Sequence, residues 1–167
     1  MTARGGFVTA EMGHVVQILP AVDITGGKIC QAFSMANYQH ATIIISVGVS
    51  AAAWTAILLQ AGSATAAIGV NVANAVALPF AIYKQETSGA NNDVLGARVA
   101  KTTSGETAPS ANDNIFYVIE VDAAELPDGK PYLQLSLTNG VNSVIASAVA
   151  ILSGARHSSV QSATVTT

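Results

Sequence analysis

The chain has 167 residues, of which 50% are hydrophobic, 10% charged and 5% aromatic, with seven Lys plus Arg against ten Asp plus Glu and a net charge of −3. That is too apolar for a disordered segment and has no basic surplus with which to neutralise a phosphate backbone, so nucleic-acid binding is disfavoured as the main role. Soluble domains average about 25% charged residues; here a surface of roughly 7,700 Å², the value expected of a folded monomer of this mass, is left largely to Ala, Ser, Thr, Asn and Gly, and suits burial against other subunits.

From the N-terminus, Met1 to Gly13 is Gly-rich and aperiodic and reads as an arm. It lacks a continuous apolar run before a small-residue cleavage site, so cytoplasmic synthesis without a secretory signal is expected. Strand character begins at His14 to Leu19. Thr25-Gly26-Gly27-Lys28 sets two glycines at the centre of a tight turn, where positive φ meets no Cβ, so Ala21 to Ile24 and Ile29 to Phe33 are expected as consecutive strands. Ala41 to Val49 and Trp54 to Gln60 are apolar runs of strand length, and Ala61 to Ala75, rich in Ala, Gly, Ser and Asn, reads as a loop. Leu78 to Lys84 resumes strand character, with Pro79 marking a strand end or an edge.

Polar tracts at Gln85 to Asp93 and Thr102 to Asn114 read as loops on either side of Val94 to Lys101. Ile115 to Asp122 becomes alternating at its end, and Ala123 to Leu126 fits a single helical turn before the Asp128-Gly129 turn. Leu133, Leu135 and Leu137 interleave with Gln134, Ser136 and Thr138 at a period of two, the mark of a half-buried strand. Asn139-Gly140 follows as a strong hairpin signal and leads into Ser143 to Leu152. The sum is eight to nine short strands in one domain over 14–157, preceded by the arm 1–13 and followed by a tail at 158–167. The fold expected is all-β, an antiparallel β-sandwich of jelly-roll type.

Between His40 and Lys84 no side chain is charged, and Ala41 to Leu59 and Ala64 to Tyr83 are each long enough to cross a bilayer. A two-helix membrane hairpin is disfavoured by Thr42-Ile43-Ile44-Ile45, a β-branched cluster, and by Gly48, Ser50, Asn71, Asn74 and Pro79. Neither segment is flanked by Lys/Arg clusters.

Chemistry is sparse. Cys30 is the single cysteine, so no intrachain disulfide or paired-thiolate metal site exists, and its apolar setting predicts a buried, inert thiol. His14, His40 and His157 are far apart, and none has a partner at ligand spacing; His40 is expected as a hydrogen-bonded strand-end residue. Glu120, Asp122, Glu125 and Asp128 form the one acidic cluster, with Glu120 and Asp122 on the same face of a strand, and read as a solvated edge and turn. No phosphate-binding loop or nucleophile elbow is present, so no enzyme and no cofactor are expected. Trp54 is either a core filler or a contact anchor.

The succession Phe33-Ser34-Met35-Ala36-Asn37-Tyr38, His40-Ala41-Thr42-Ile43-Ile44-Ile45, Gly48-Val49, Leu78-Pro79-Phe80 with Tyr83, Ile119-Glu120-Val121-Asp122-Ala123-Ala124-Glu125-Leu126, Asp128-Gly129, Pro131-Tyr132-Leu133 and Leu152-Ser153-Gly154-Ala155-Arg156 resembles small structural proteins of tailed bacteriophages, the capsid decoration or cement proteins. The likeness runs from about His14 to Arg156. It implies a jelly-roll-like subunit, trimeric, seated on the outer surface of the virion capsid, with the major capsid protein and copies of itself as partners and no nucleic-acid or membrane partner. Its work would be mechanical, adding cohesion to a shell stressed by packaged DNA. Met1, Arg4, Phe7, Trp54, Arg156 and His157 are the candidate interface residues. The alternatives are a carbohydrate- or receptor-binding module, for which Trp54, Tyr38, Tyr83, Tyr117 and Tyr132 are the available aromatics, and a small membrane protein.

Overall fold

The computed structural model describes residues 8–86, 94–107, 109–155 and 163–165. Within them a single helical turn, α1 (Thr9–Met12), is followed by eleven strands: β1 (His14–Asp23), β2 (Lys28–Ile29), β3 (Phe33–Ser34), β4 (His40–Ser50), β5 (Ala56–Gly62), β6 (Val76–Ala77), β7 (Phe80–Glu86), β8 (Val99–Lys101), β9 (Ile115–Asp122), β10 (Tyr132–Thr138) and β11 (Val144–Ser153). All pair antiparallel, in a six-stranded sheet of order β1-β11-β4-β9-β7-β8 and a five-stranded sheet built on β2-β10-β5-β6, with β3 also on β10. The chain is therefore all-β, a two-sheet antiparallel sandwich. The strand expected at Ile29 to Phe33 is instead two ladders of two residues each, β2 and β3, at its ends, and β6, also two residues, is too short to show a period.

Alternation sets the two faces of the larger sheet. Ile43, Ile45 and Val47 of β4, Ile115, Tyr117, Ile119 and Val121 of β9, and Ala146, Ala148, Ala150 and Leu152 of β11 are buried, each beside a less buried neighbour. Ile57 and Leu59 of β5 and Leu133, Leu135 and Leu137 of β10 supply the other sheet, and all belong to one continuous core with Phe33, Met35 and Trp54. Burying each such side chain favours folding by about 1.5–3 kcal/mol. The two long apolar segments of the sequence are spent on these strands and the loop between them, and among the described residues no helix is long and apolar enough to cross a membrane.

Two turn signals behave differently from expectation. The chain does reverse at Gly26 and Gly27, whose φ values are 76° and 82°, but β1 lies in the larger sheet and β2 in the smaller one, so the flanking strands do not pair with each other. Asn139-Gly140 likewise joins β10 in one sheet to β11 in the other, so the hairpin its sequence signals does not form. The reason is visible at that end of the sandwich, where the two crossovers are tied together: Gly26 N–H donates to Gly140 O at 2.8 Å, and Ile24 N–H to Val144 O at 2.9 Å. The Asp23 carboxylate accepts from Thr25 N–H at 2.9 Å and Oγ1 at 2.7 Å and from Ser143 Oγ at 2.7 Å. These hydrogen bonds from Ser143 and Thr25 hold the Asp23 pKa down at about 2.

The ends also gain structure. Within the expected N-terminal arm, α1 closes on itself through Gly13 N–H to Thr9 O at 2.9 Å. Of the expected tail, Thr164 is buried, its carbonyl accepts from Ser34 N–H at 3.0 Å, and Val165 packs on the core, so this part docks onto its own domain.

Candidate functional site

The two outer faces of the sandwich are finished differently. On the five-stranded side, the polar alternation of β10 places Gln134 where a solvent-facing residue is expected, yet it is fully buried. The 63–75 loop folds over it. Gln134 Oε1 accepts from Val72 N–H at 2.9 Å and Gln60 Nε2 at 2.8 Å, while its Nε2 donates to Val70 O at 2.7 Å and Cys30 O at 3.0 Å. Ala66 and Val72 from the loop bury against Ala32, with Tyr132 at their side, and Ala32 N–H donates to Ala66 O at 3.0 Å. The small, bland residues of this stretch are what allow it to lie flat: at Gly62, any Cβ would run into the Val72 side chain.

The outer face of the six-stranded sheet has no such cover from the loop between β5 and β6. Register places Gln17, Val149, Ile44, Val118 and Tyr83 side by side across five strands, with Val15, Ile151 and Thr42 on one side of that row and Ser147, Ser46 and Phe116 on the other. Val15 is 52% exposed, Phe116 38% and Ile145 39%. The middle row has no charged side chain, and the row of Val15, Ile151 and Thr42 continues to Glu120 on β9.

At one end of this face the sheet brings together His40, Glu120 and Asp122. The β4–β9 register opposes His40 to Asp122 and Thr42 to Glu120. The His40 ring lies between the two carboxylates, Nδ1 2.7 Å from Asp122 Oδ1 and Nε2 2.7 Å from Glu120 Oε2, and Thr42 Oγ1 donates to the same Glu120 oxygen at 2.7 Å. Burial opposes charge on the ring, but the hydrogen bonds to Asp122 and Glu120 and the field of both carboxylates outweigh it and raise the His40 pKa above 6.5. The carboxylates sit at opposite nitrogens and do not converge on one point. Among the described residues no group of three or more His, Cys, Asp or Glu is arranged to hold a metal ion. His40 is thus the hydrogen-bonded strand-end residue expected, while its two partners belong to a strand 80 residues away, a pairing no local spacing reveals. The rest of the acidic cluster serves the chain itself: Glu125 Oε2 accepts from Asp122 N–H at 2.8 Å, and Asp128 precedes Gly129 in a turn.

A second concavity, of about 280 Å³, opens beside β7 and is lined by Ile82, Lys84, Val99, Glu106, Ser110 and Tyr117, among others. Its polar groups answer one another. Ser110 N–H donates to Tyr117 Oη at 2.8 Å, Lys84 pairs with Glu86 at 2.9 Å and Lys101 with Glu106 at 2.7 Å. Burial pushes the Tyr117 phenol up to about 12.

Of the candidate interface residues, Met1, Arg4, Phe7, Arg156 and His157 lie outside the described residues. Trp54 is 3% exposed and meets Tyr117 edge-on, ring centroids 6.2 Å apart, so on this subunit it fills the core and is not a surface anchor. Cys30 is buried, its thiol pushed up to about 12 by desolvation, as its apolar setting predicts. The surface the sequence did not single out is the outer sheet face with its uncharged middle, whose residues are spread over five strands. Comparison with protein-family models, with curated proteins and with solved structures finds no match.

Proposed function

We propose that the chain is a virion structural protein, a decoration or cement protein that binds the outer surface of a tailed-bacteriophage capsid and stabilises the head. The observation that carries this reading is the middle of the outer face of the six-stranded sheet, uncharged between its acidic ends and rich in Val, Ile and Phe, a surface of the kind that marks a protein–protein contact. The order of strands supports the jelly-roll form of the fold: the first strand pairs with the last, β2 with β10, and β4 lies between β11 and β9. The partners on this reading are the major capsid protein and further copies of the chain, three by the resemblance, with Met1, Arg4, Phe7, Arg156 and His157 as capsid-contact candidates. No catalysis and no cofactor is assigned. The alternative of a carbohydrate-binding module is weakened because three of its five available aromatics, Trp54, Tyr38 and Tyr117, are each at most 3% exposed, leaving only the half-buried Tyr83 and Tyr132 for a sugar to stack on.

The test is copy number. In purified particles of the source phage, quantitative mass spectrometry should find this chain at one copy per major capsid subunit or a simple fraction of it. A few copies per particle, or none, would overturn the reading.

A further inference from the structure

We propose that Asn139 is a site of self-modification. In the folded chain the Gly140 main-chain nitrogen closes on the Asn139 side-chain amide, ammonia leaves, and water opens the resulting succinimide to aspartate or isoaspartate. This goes beyond the virion assignment and needs no partner from it.

The chemistry asks for an attacking nitrogen without a crowding neighbour. Of the asparagines in the chain, Asn139 alone is followed by glycine, so no Cβ stands beside the nitrogen that must approach. The pair forms no hairpin, because β10 and β11 belong to different sheets. The Gly140 N–H therefore stays outside both ladders. Among the described residues it donates to Asn139 Oδ1, at 2.9 Å, and to no main-chain carbonyl.

That hydrogen bond carries the proposal. The ring it closes contains every atom of the succinimide ring: the Gly140 nitrogen and the carbonyl carbon, Cα, Cβ and Cγ of Asn139. A turn of the amide about the Cβ–Cγ bond presents the face of Cγ to the nitrogen. The main chain is already in place, the proximity that makes an intramolecular attack fast. The N–Cγ bond forms as the nitrogen gives its proton to hydroxide, and the Cγ–Nδ2 bond breaks as Nδ2 takes a proton from water and leaves as ammonia. Water then adds to either carbonyl of the ring and reopens it. The Gly140 side admits that water: the residue is exposed, an added Cβ there would meet nothing within 4 Å, and Val141 beside it is 92% exposed.

The product falls on the tie between the two sheets. Asn139 Nδ2 donates to Asn142 O at 2.8 Å, and Thr25 Oγ1, which donates to Asp23 Oδ1 at 2.7 Å, lies 3.1 Å from the same oxygen. An acid in place of the amide loses that donor and adds a carboxylate to the network that holds Asp23. Isoaspartate also lengthens the main chain by a methylene next to Gly140, whose carbonyl accepts from Gly26 N–H. Conversion therefore loosens the crossover from within, paced by elapsed time.

The experiment incubates the purified full chain at mildly alkaline pH, below its melting temperature. Peptide mass mapping follows conversion at each asparagine, and methyl transfer by an isoaspartyl methyltransferase reads isoaspartate. Conversion is expected first at Asn139, at a native rate within about tenfold of the rate in urea, because the fold already holds the ring atoms together. Gly140→Ala adds a Cβ into open space at a residue without positive φ, so it should fold. It should slow conversion by about tenfold or more, since the new methyl group crowds the nitrogen. Asn139→Asp and aged wild type should both melt about 2–8 °C lower. A native rate about 10³-fold below the rate in urea, the penalty of a route through global unfolding, overturns the proposal. So does conversion that a folded Gly140→Ala chain leaves unchanged.

Discussion

Gln134 shows how a polar side chain becomes structural when all its hydrogen-bonding capacity is used. Its four partners include Val72 N–H and the carbonyls of Val70 and Cys30, all main-chain groups. Leaving buried groups of that kind without a partner costs about 1–3 kcal/mol each. Gln134→Leu is therefore expected to lower stability by about 2–4 kcal/mol in urea unfolding, and to speed hydrogen exchange at residues 70–72 before the rest of the sheet. His40 makes the opposite kind of contribution, one that depends on pH. Its folded pKa is raised above 6.5, so the stabilisation is fully present below the unfolded value and is lost as pH rises through the folded one. The side chain is a third exposed, which keeps the effect below about 1 kcal/mol. The melting temperature should fall as pH rises above about 6.5, the ordinary histidine value, and His40→Gln should flatten that slope; an unchanged slope would mean that another group titrates there.

At the level of elements, Gly62 and the loop it admits offer the sharpest case. A methyl group at this position would meet the Val72 side chain and come within 2.8 Å of Ala73 O. Gly62→Ala is expected to cost about 1–3 kcal/mol and to open the 63–75 loop to limited proteolysis while the sheets persist. Strands such as β4, β9 and β10 are legible in the sequence because each presents one buried face, and a period of two records that directly. The crossovers are not. A Gly-Gly or Asn-Gly dipeptide states that the chain turns, and both do, but in a sandwich the choice between pairing back and crossing to the other sheet is made by distant groups such as Asp23 and Ser143. The same limit hides the site. Alternation alone puts Glu120 and Asp122 on one face, whereas their approach to His40 depends on which strand lies next to β9. Gln134 has the sequence pattern of a solvated residue because nothing in the Ala-rich stretch announces that it will fold over β10.

For the molecule as a whole, the pairing is nested: β1 with β11, β2 with β10, β4 with β9. Strands distant in sequence must meet before either sheet is complete, and such non-local topologies fold in about milliseconds to seconds. Trp54, the single Trp of the chain, is buried against Tyr117 and reports on this directly. Stopped-flow fluorescence should show refolding in that range, and a microsecond phase carrying the full amplitude would contradict the nested order as the kinetic obstacle. Nesting also brings His14 opposite Leu152. A peptide bridge that keeps α1 and the docked Thr164 and Val165 would close the chain into a ring, with new ends cut at Val141, which is 92% exposed.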